Sequence, residues 1–302
     1  MRWLLFFVLA WDASGQPRRT LLDAHNCYPY DGQYADRIDR ALKTGLPVAI
    51  EQDLAWHAPS GKSLLSHEVK TKGDEPGMKE YFFERVRPIV EKALREGRSP
   101  QWPLLTLNLD FKTLEPEHAR AVLALLEEYE AWLTSAPKSA TVAKLTLKPI
   151  LVLVGDADVL ESVFNGPSAK KLLAFGAAKV MSRGTELTPK RLVPAKATNY
   201  RRWWNSPWSI VEEGGQPKAG TWTIPDQKRL RALTRHAHAY GYWLRLYTLN
   251  GHDPAQGKGW SKGYNFGALE AAQVRWEASR AAGVDYLATD QYEELKAFFA
   301  QR

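Results

Sequence analysis

Ile50-Glu51-Gln52-Asp53 closes an apolar run, residues 47–53, that reads as a strand ending in two carboxylates. Successive strand side chains point to opposite faces, so Glu51 and Asp53 share one face and Gln52 takes the other. Two carboxylates side by side repel unless a cation lies between them or one carries a proton. Asp23-Ala24-His25-Asn26 precedes the pair and Ser66-His67-Glu68 follows it, giving one imidazole on either side in the sequence. A hard metal held by oxygens, with acid–base chemistry beside it, accounts for this set better than an ion pair of Glu51 or Asp53 with a surface lysine or arginine.

Working outward, residues 20–25, 103–110, 148–154, 243–249 and 284–289 also read as strands. Helical periodicity falls on residues 35–43, 78–96, 115–133, 156–164, 226–240, 269–282 and 292–299. The run at 148–154 is almost wholly apolar, as expected of a strand buried on both faces of a parallel sheet. In the middle of the chain a fifth strand is expected over residues 177–182 and a sixth near 209–211. Trp203, Trp204, Trp208 and Trp222 lie in Pro- and Gly-rich segments there and are expected in the core. Strands alternating with helices from end to end imply parallel strands joined by crossovers. About eight such units predict a (β/α)8 TIM barrel, with an open doubly wound sheet as the alternative. No glycine-rich phosphate fingerprint follows a strand, which counts against the open-sheet nucleotide binders.

The polar residues of interest fall at one end of the expected strands. His25 and Asn26 end the first, Glu51 and Asp53 the second, Asp110 and Lys112 the third; Arg245 lies in the seventh and Asp290 follows the eighth. In a barrel those ends converge on one face, where active sites are built. Lys112 and Arg245 fit either substrate contact or an internal ion pair, and Asp290 reads as the cap of the closing helix. His57, His118, His236, His238 and His252 read as satisfied polar residues with no catalytic part, and Cys27 as a small buried neighbour.

Composition sets the class. The chain has 302 residues, 44% hydrophobic and 25% charged, with a formal net charge of +7. That length and balance suit a folded globular chain, and no basic run interleaved with aromatics points to nucleic acid. Arg2, the apolar run from Trp3 to Trp11, and Ala13-Ser14-Gly15 have the layout of a secretory signal peptide over residues 1–15. The run is shorter than the ~20 residues that span a bilayer. Residues 16–302 then form the mature barrel domain, secreted or periplasmic. Cys27 is the only cysteine, so the exported chain relies on its core rather than on an intrachain disulfide.

Several motifs also resemble a known family. Ala24-His25-Asn26-Cys27-Tyr28, Ala41-Leu42-Lys43-Thr44-Gly45, Ile50-Glu51-Gln52-Asp53 and Leu64-Leu65-Ser66-His67-Glu68 are similar to the phosphatidylinositol phospholipase C-like / glycerophosphodiester phosphodiesterase superfamily. Leu107-Asn108-Leu109-Asp110-Phe111-Lys112 is similar to its third metal-ligand strand, and Gly283-Val284-Asp285-Tyr286-Leu287-Ala288-Thr289-Asp290 to its last strand. The start of the chain, with Leu244-Arg245-Leu246-Tyr247-Thr248, resembles in particular the branch that includes the fungal altered-inheritance-of-mitochondria protein 6. The resemblance implies a PLC-like phosphodiesterase barrel acting on a phospholipid-derived or glycerol/inositol phosphodiester. It implies one divalent cation, Ca2+ or Mg2+, held by Glu51, Asp53 and Asp110, with His25 and His67 as the acid–base pair. Asn26 stands where glycerophosphodiesterases carry an arginine and looks like the asparagine of the calcium site in eukaryotic phosphoinositide phospholipases. Lys112 and Arg245 would then meet the substrate. The partners expected are a small-molecule or lipid phosphodiester, with a passing contact to a membrane surface, and the chain is expected as a monomer. A strict glycerophosphodiester hydrolase and a non-catalytic barrel binding a phosphoryl ligand or sugar are the alternatives.

Overall fold

A computed structural model describes residues 20–30, 34–97, 101–182, 184–256 and 262–301. The expected signal peptide lies outside the described residues. Eight parallel strands close into a barrel: β1 (Leu21–Ala24), β2 (Val48–His57), β3 (Leu105–Phe111), β4 (Ile150–Val154), β5 (Phe175–Ala177), β6 (Arg201–Pro207), β7 (Trp243–Tyr247) and β8 (Tyr286–Thr289). Closure comes from β1, which pairs in parallel with β8 through Leu21↔Tyr286 and with β2 through Asp23↔Ala49. Each strand is followed by a helix: α1 (Arg37–Lys43), α2 (Glu84–Arg95), α3 (Pro116–Glu128), α4 (Asp158–Phe164), α5 (Pro189–Leu192), α6 (Ile224–Ala239), α7 (Leu269–Ala282) and α8 (Tyr292–Ala300). The (β/α)8 TIM barrel is therefore the architecture, not the open sheet.

Local chemistry explains most of the elements. Every residue of β4 is buried, as its apolar run requires. Helix α1 stops where Gly45 takes a φ of +98°, a conformation that costs glycine little. Helix α6 begins two residues before its periodicity suggests, because Thr223 and Asp226 form a reciprocal capping box around Pro225. Among the described residues no helix is long and apolar enough to cross a membrane.

The middle of the chain departs from expectation. The fifth strand is Phe175–Ala177, and the residues expected to form it mostly lie in the loop beyond. Its three residues are too few to carry a periodic signal. The sixth strand is Arg201–Pro207, whereas residues 209–211 lie in and just after a 3-10 turn, Trp208–Ile210. Two consecutive arginines hide this strand in the sequence. Both are buried and satisfied by carbonyl groups: Arg201 Nη1 donates to Ala177 O at 2.7 Å and Arg202 Nη2 to Ala143 O at 2.8 Å. Trp203, Trp204 and Trp208 are core residues, and Trp222 packs against them half-buried.

One excursion matters for the site. Strand β2 runs past the barrel rim to His57, turns, and returns as a short antiparallel strand, Lys62–Leu65, with Leu54 opposite Leu65. The Ser66 N–H then donates to Asp53 O at 3.0 Å, which brings the chain back to the level of Asp53. His67 follows directly and so stands at the barrel mouth.

Candidate active site

Strands β2 and β3 pair in parallel with Asp53 opposite Asp110, and Glu51 precedes Asp53 by one full pleat. Glu51, Asp53 and Asp110 each offer an oxygen, and these atoms lie within 4.8 Å of one another. Glu51 and Asp53 are buried while Asp110 opens to solvent. The three expected ligands thus meet at the mouth, at the C-terminal ends of their strands.

Each carboxylate already has a cation at hand. Arg245 is 1% exposed; it donates from Nε to Asp23 Oδ2 at 2.5 Å and places Nη2 3.0 Å from Glu51 Oε1. Of the two roles open to Arg245, its position supports the internal ion pair. Lys112 Nζ lies 2.9 Å from Asp53 Oδ2 and 2.7 Å from Asp110 Oδ2. Burial opposes ionisation of Glu51, but Arg245 and then His25 hold its pKa below the ordinary carboxylate value. Asp53 goes the other way: burial, then Asp110 and Glu51, push it up to about 7 against the pull of Lys112. That is the crowding expected of carboxylates whose repulsion a proton or a cation must relieve.

His25 is held at both nitrogens. Nε2 lies 2.9 Å from Thr248 Oγ1 and 3.4 Å from Glu51 Oε2. Nδ1 lies 2.7 Å from the Asn26 amide nitrogen and 3.2 Å from Asp290 Oδ1. The neutral ring accepts there from Asn26, and the protonated ring donates to Asp290. Burial disfavours charge on His25, but Glu51 and Asp290 outweigh it and raise its pKa. Asn26 sits at a φ of +51°, in the left-handed region that asparagine tolerates. This turn lets its N–H reach Glu51 Oε2 at 3.2 Å. The Tyr28 hydroxyl stands 3.1 Å from Asn26 Oδ1 and donates to Asp53 Oδ2 at 2.7 Å, so the Asn26 carbonyl faces the carboxylate group.

His67 differs in character. Its side chain is 51% exposed, with Nδ1 3.7 Å from Glu68 Oε1. Burial, then Lys112, lower its pKa, and Asp110 also acts on it, so it stands on the Lys112–Asp110 side of the mouth. His25 thus lies against Glu51, while His67 feels the charges of Lys112 and Asp110.

Asp290 corrects the sequence reading. The cap position of α8 is Gln291, and Asp290 does not cap it. Instead its Oδ1 accepts from Arg37 Nη1 at 3.0 Å and meets His25, while Oδ2 accepts from Asn250 Nδ2 at 2.6 Å. Its position at the end of β8 was the available signal. Thr248, Tyr28, Arg37 and Asp23 also belong to the site and escaped the sequence reading, for none of them stands out by type.

The chain shares its fold with a calcium-dependent phosphatidylinositol-specific phospholipase C from Streptomyces antibioticus, at 13% identity and TM-score 0.50, over 93% of this chain and 96% of that one. That likeness is one of fold. Two glycerophosphodiester phosphodiesterase structures from Parabacteroides distasonis align over 94% of this chain, at 13% identity with TM-score 0.46 and at 12% with 0.48, covering 87% and 98% of their own lengths. No family model matches the chain, and no curated protein matches it.

The geometry of the site fits a hard divalent cation. The donors are carboxylate oxygens, the ligand type such cations prefer. Linked by the contacts above, Asp23, Glu51, Asp53, Asp110 and Asp290 stand against the permanent cations Arg37, Lys112 and Arg245. Carboxylates outnumber permanent cations in this group, so an added cation would relieve their repulsion.

Proposed function

We propose that the chain is a metal-dependent phosphoric diester hydrolase acting on a phospholipid-derived or glycerol/inositol phosphodiester. The observation that carries this reading is the meeting of Glu51, Asp53 and Asp110 within 4.8 Å at the mouth, with His25 3.4 Å from Glu51. These three residues would hold Ca2+ or Mg2+, and the Asn26 carbonyl stands on the same side of the cluster. The ion, when bound, polarises a non-bridging phosphoryl oxygen and lowers the barrier to attack.

The remaining steps belong to the chain's own groups. Asp290 and Asn26 hold His25 by Nδ1, which leaves Nε2 as the proton-carrying atom on the Glu51 side. His67 carries a proton on the Asp110 side. One ring removes the proton of the attacking hydroxyl or water while the other donates to the leaving oxygen, each transfer contributing ~10²–10⁴-fold. Lys112 offsets charge on the phosphoryl oxygens. Arg245 acts as a positioning residue through Glu51. The calcium dependence and phospholipase C activity named for the Streptomyces antibioticus structure agree with this assignment. Asn26 in place of an arginine favours a substrate other than a simple glycerophosphodiester. The apolar run at residues 3–11 supports export of the mature chain.

The test is a panel of glycerophosphocholine, phosphatidylinositol and a chromogenic aryl phosphodiester, assayed after chelation and after return of Ca2+ or Mg2+. Turnover of one member that vanishes on chelation and returns with one of the ions supports the proposal. A folded, cation-binding chain that turns over none of them supports the non-catalytic alternative.

A further inference from the structure

Lys112 fills the space between two of the three carboxylates that a cation would share. Its Nζ bonds Asp53 Oδ2 and Asp110 Oδ2 together, and those residues belong to the group whose oxygens lie within 4.8 Å of one another. The backbone beneath it is fixed: the Lys112 N–H donates to Leu54 O at 2.8 Å, one step past the last paired residues of β2 and β3. The side chain is not fixed in the same way. Four rotatable methylenes carry the ammonium, and at 20% exposure it has a path toward the open mouth. A divalent ion with oxygens at ~2.0–2.6 Å would come into direct repulsion with an ammonium bonded to the same two carboxylates.

We propose that Lys112 is the internal counter-cation of the cation-free chain, and that a divalent ion displaces its ammonium from Asp53 and Asp110. Displacement turns the lysine toward the phosphoryl oxygens, so the cation binds before the anionic substrate and prepares the residue that meets it. By reciprocity, inorganic phosphate and the cation strengthen each other's binding. This inference rests on the cation reading above and adds the order of events to it.

Calorimetric titration of the full chain with CaCl2 and with MgCl2, for the wild type and Lys112→Met, tests the competition. Removing the competitor should tighten cation binding about tenfold, the effect of one lost ionic contact. Equal or weaker binding by Lys112→Met overturns the proposal and leaves the cation reading standing. Lysine acylation followed by mass spectrometry provides a second measurement on the wild-type chain alone, valid even where the variant does not fold. The rate at Lys112 should rise roughly threefold or more with saturating calcium as the ammonium leaves its two carboxylates. An unchanged or slower rate overturns displacement. Absence of cation binding by the wild type overturns both readings together.

Discussion

His25 Nδ1 lies 3.2 Å from Asp290 Oδ1, although the two residues are 265 positions apart in the chain. Barrel closure brings them together, since β1 and β8 are hydrogen-bonded neighbours with Ala24 opposite Thr289. Asp290 thereby orients an imidazole whose other nitrogen faces Glu51, and its charge favours the protonated ring. In Asp290→Asn the geometry largely survives while the charge is gone. We expect kcat to fall by ~10²-fold or more, as for a general acid or base whose protonated form has lost its counter-charge. The limb of the pH–rate profile that reports His25 should also move to lower pH, because the raising influence of Asp290 has been removed. Unchanged kcat and an unmoved limb would detach Asp290 from the chemistry.

His67 gives the opposite kind of test, because its exposure separates function from folding. Half of its side chain is in solvent, so His67→Ala should change unfolding free energy by less than ~0.5 kcal/mol. Its turnover should nevertheless fall by ~10²–10⁴-fold. Urea unfolding beside steady-state kinetics reads both quantities on one preparation. Undiminished turnover would remove His67 from the acid–base pair.

Legibility in the sequence followed the physics of each element. β2 and β4 announced themselves because burial on both faces demands continuous apolar residues, and the carboxylates of β2 stood out against that background. β6 did not, since Arg201 and Arg202 enter the interior under carbonyl groups supplied by residues 143 and 177, which no local pattern reveals. Glu51 and Asp53 were legible because they share one strand face, and Asp110 because it ends the next expected strand. Asp290 was misassigned for a related reason. An aspartate just before a helix is the ordinary sign of a cap, and only closure of the barrel shows that its partners are His25, Arg37 and Asn250.

Arg245 is the buried cation that Asp23 and Glu51 share. Arg245→Met would leave both carboxylates in the interior without compensation, a change that typically costs ~3–5 kcal/mol. The loss is expected as a lower urea midpoint with an unchanged slope. Combining it with Asp23→Asn removes one of the stranded charges, so the double variant should lose less than the sum of the two single ones. Additive losses would show that the Arg245–Asp23 contact carries little coupling.

The hairpin that delivers His67 rests on a different histidine. His118 is fully buried, with Nδ1 2.8 Å from Thr113 Oγ1 and Nε2 2.8 Å from Ser63 Oγ on the returning strand. Burial holds its pKa down at about 4, against an ordinary value of 6.5. The unfolded chain therefore takes up a proton at His118 as the pH drops below 6.5, while the folded chain does so only near 4. Stability from this group is complete above the higher value and is lost as the pH falls through that window, by at most ~1.4 kcal/mol per unit. Urea unfolding at pH 7, 5.5 and 4.5 should show the wild type losing more stability on acidification than His118→Gln, which has no proton to take up. Parallel losses in the two proteins would mean that other groups govern acid unfolding and that His118 is not the acid-sensitive anchor of the hairpin.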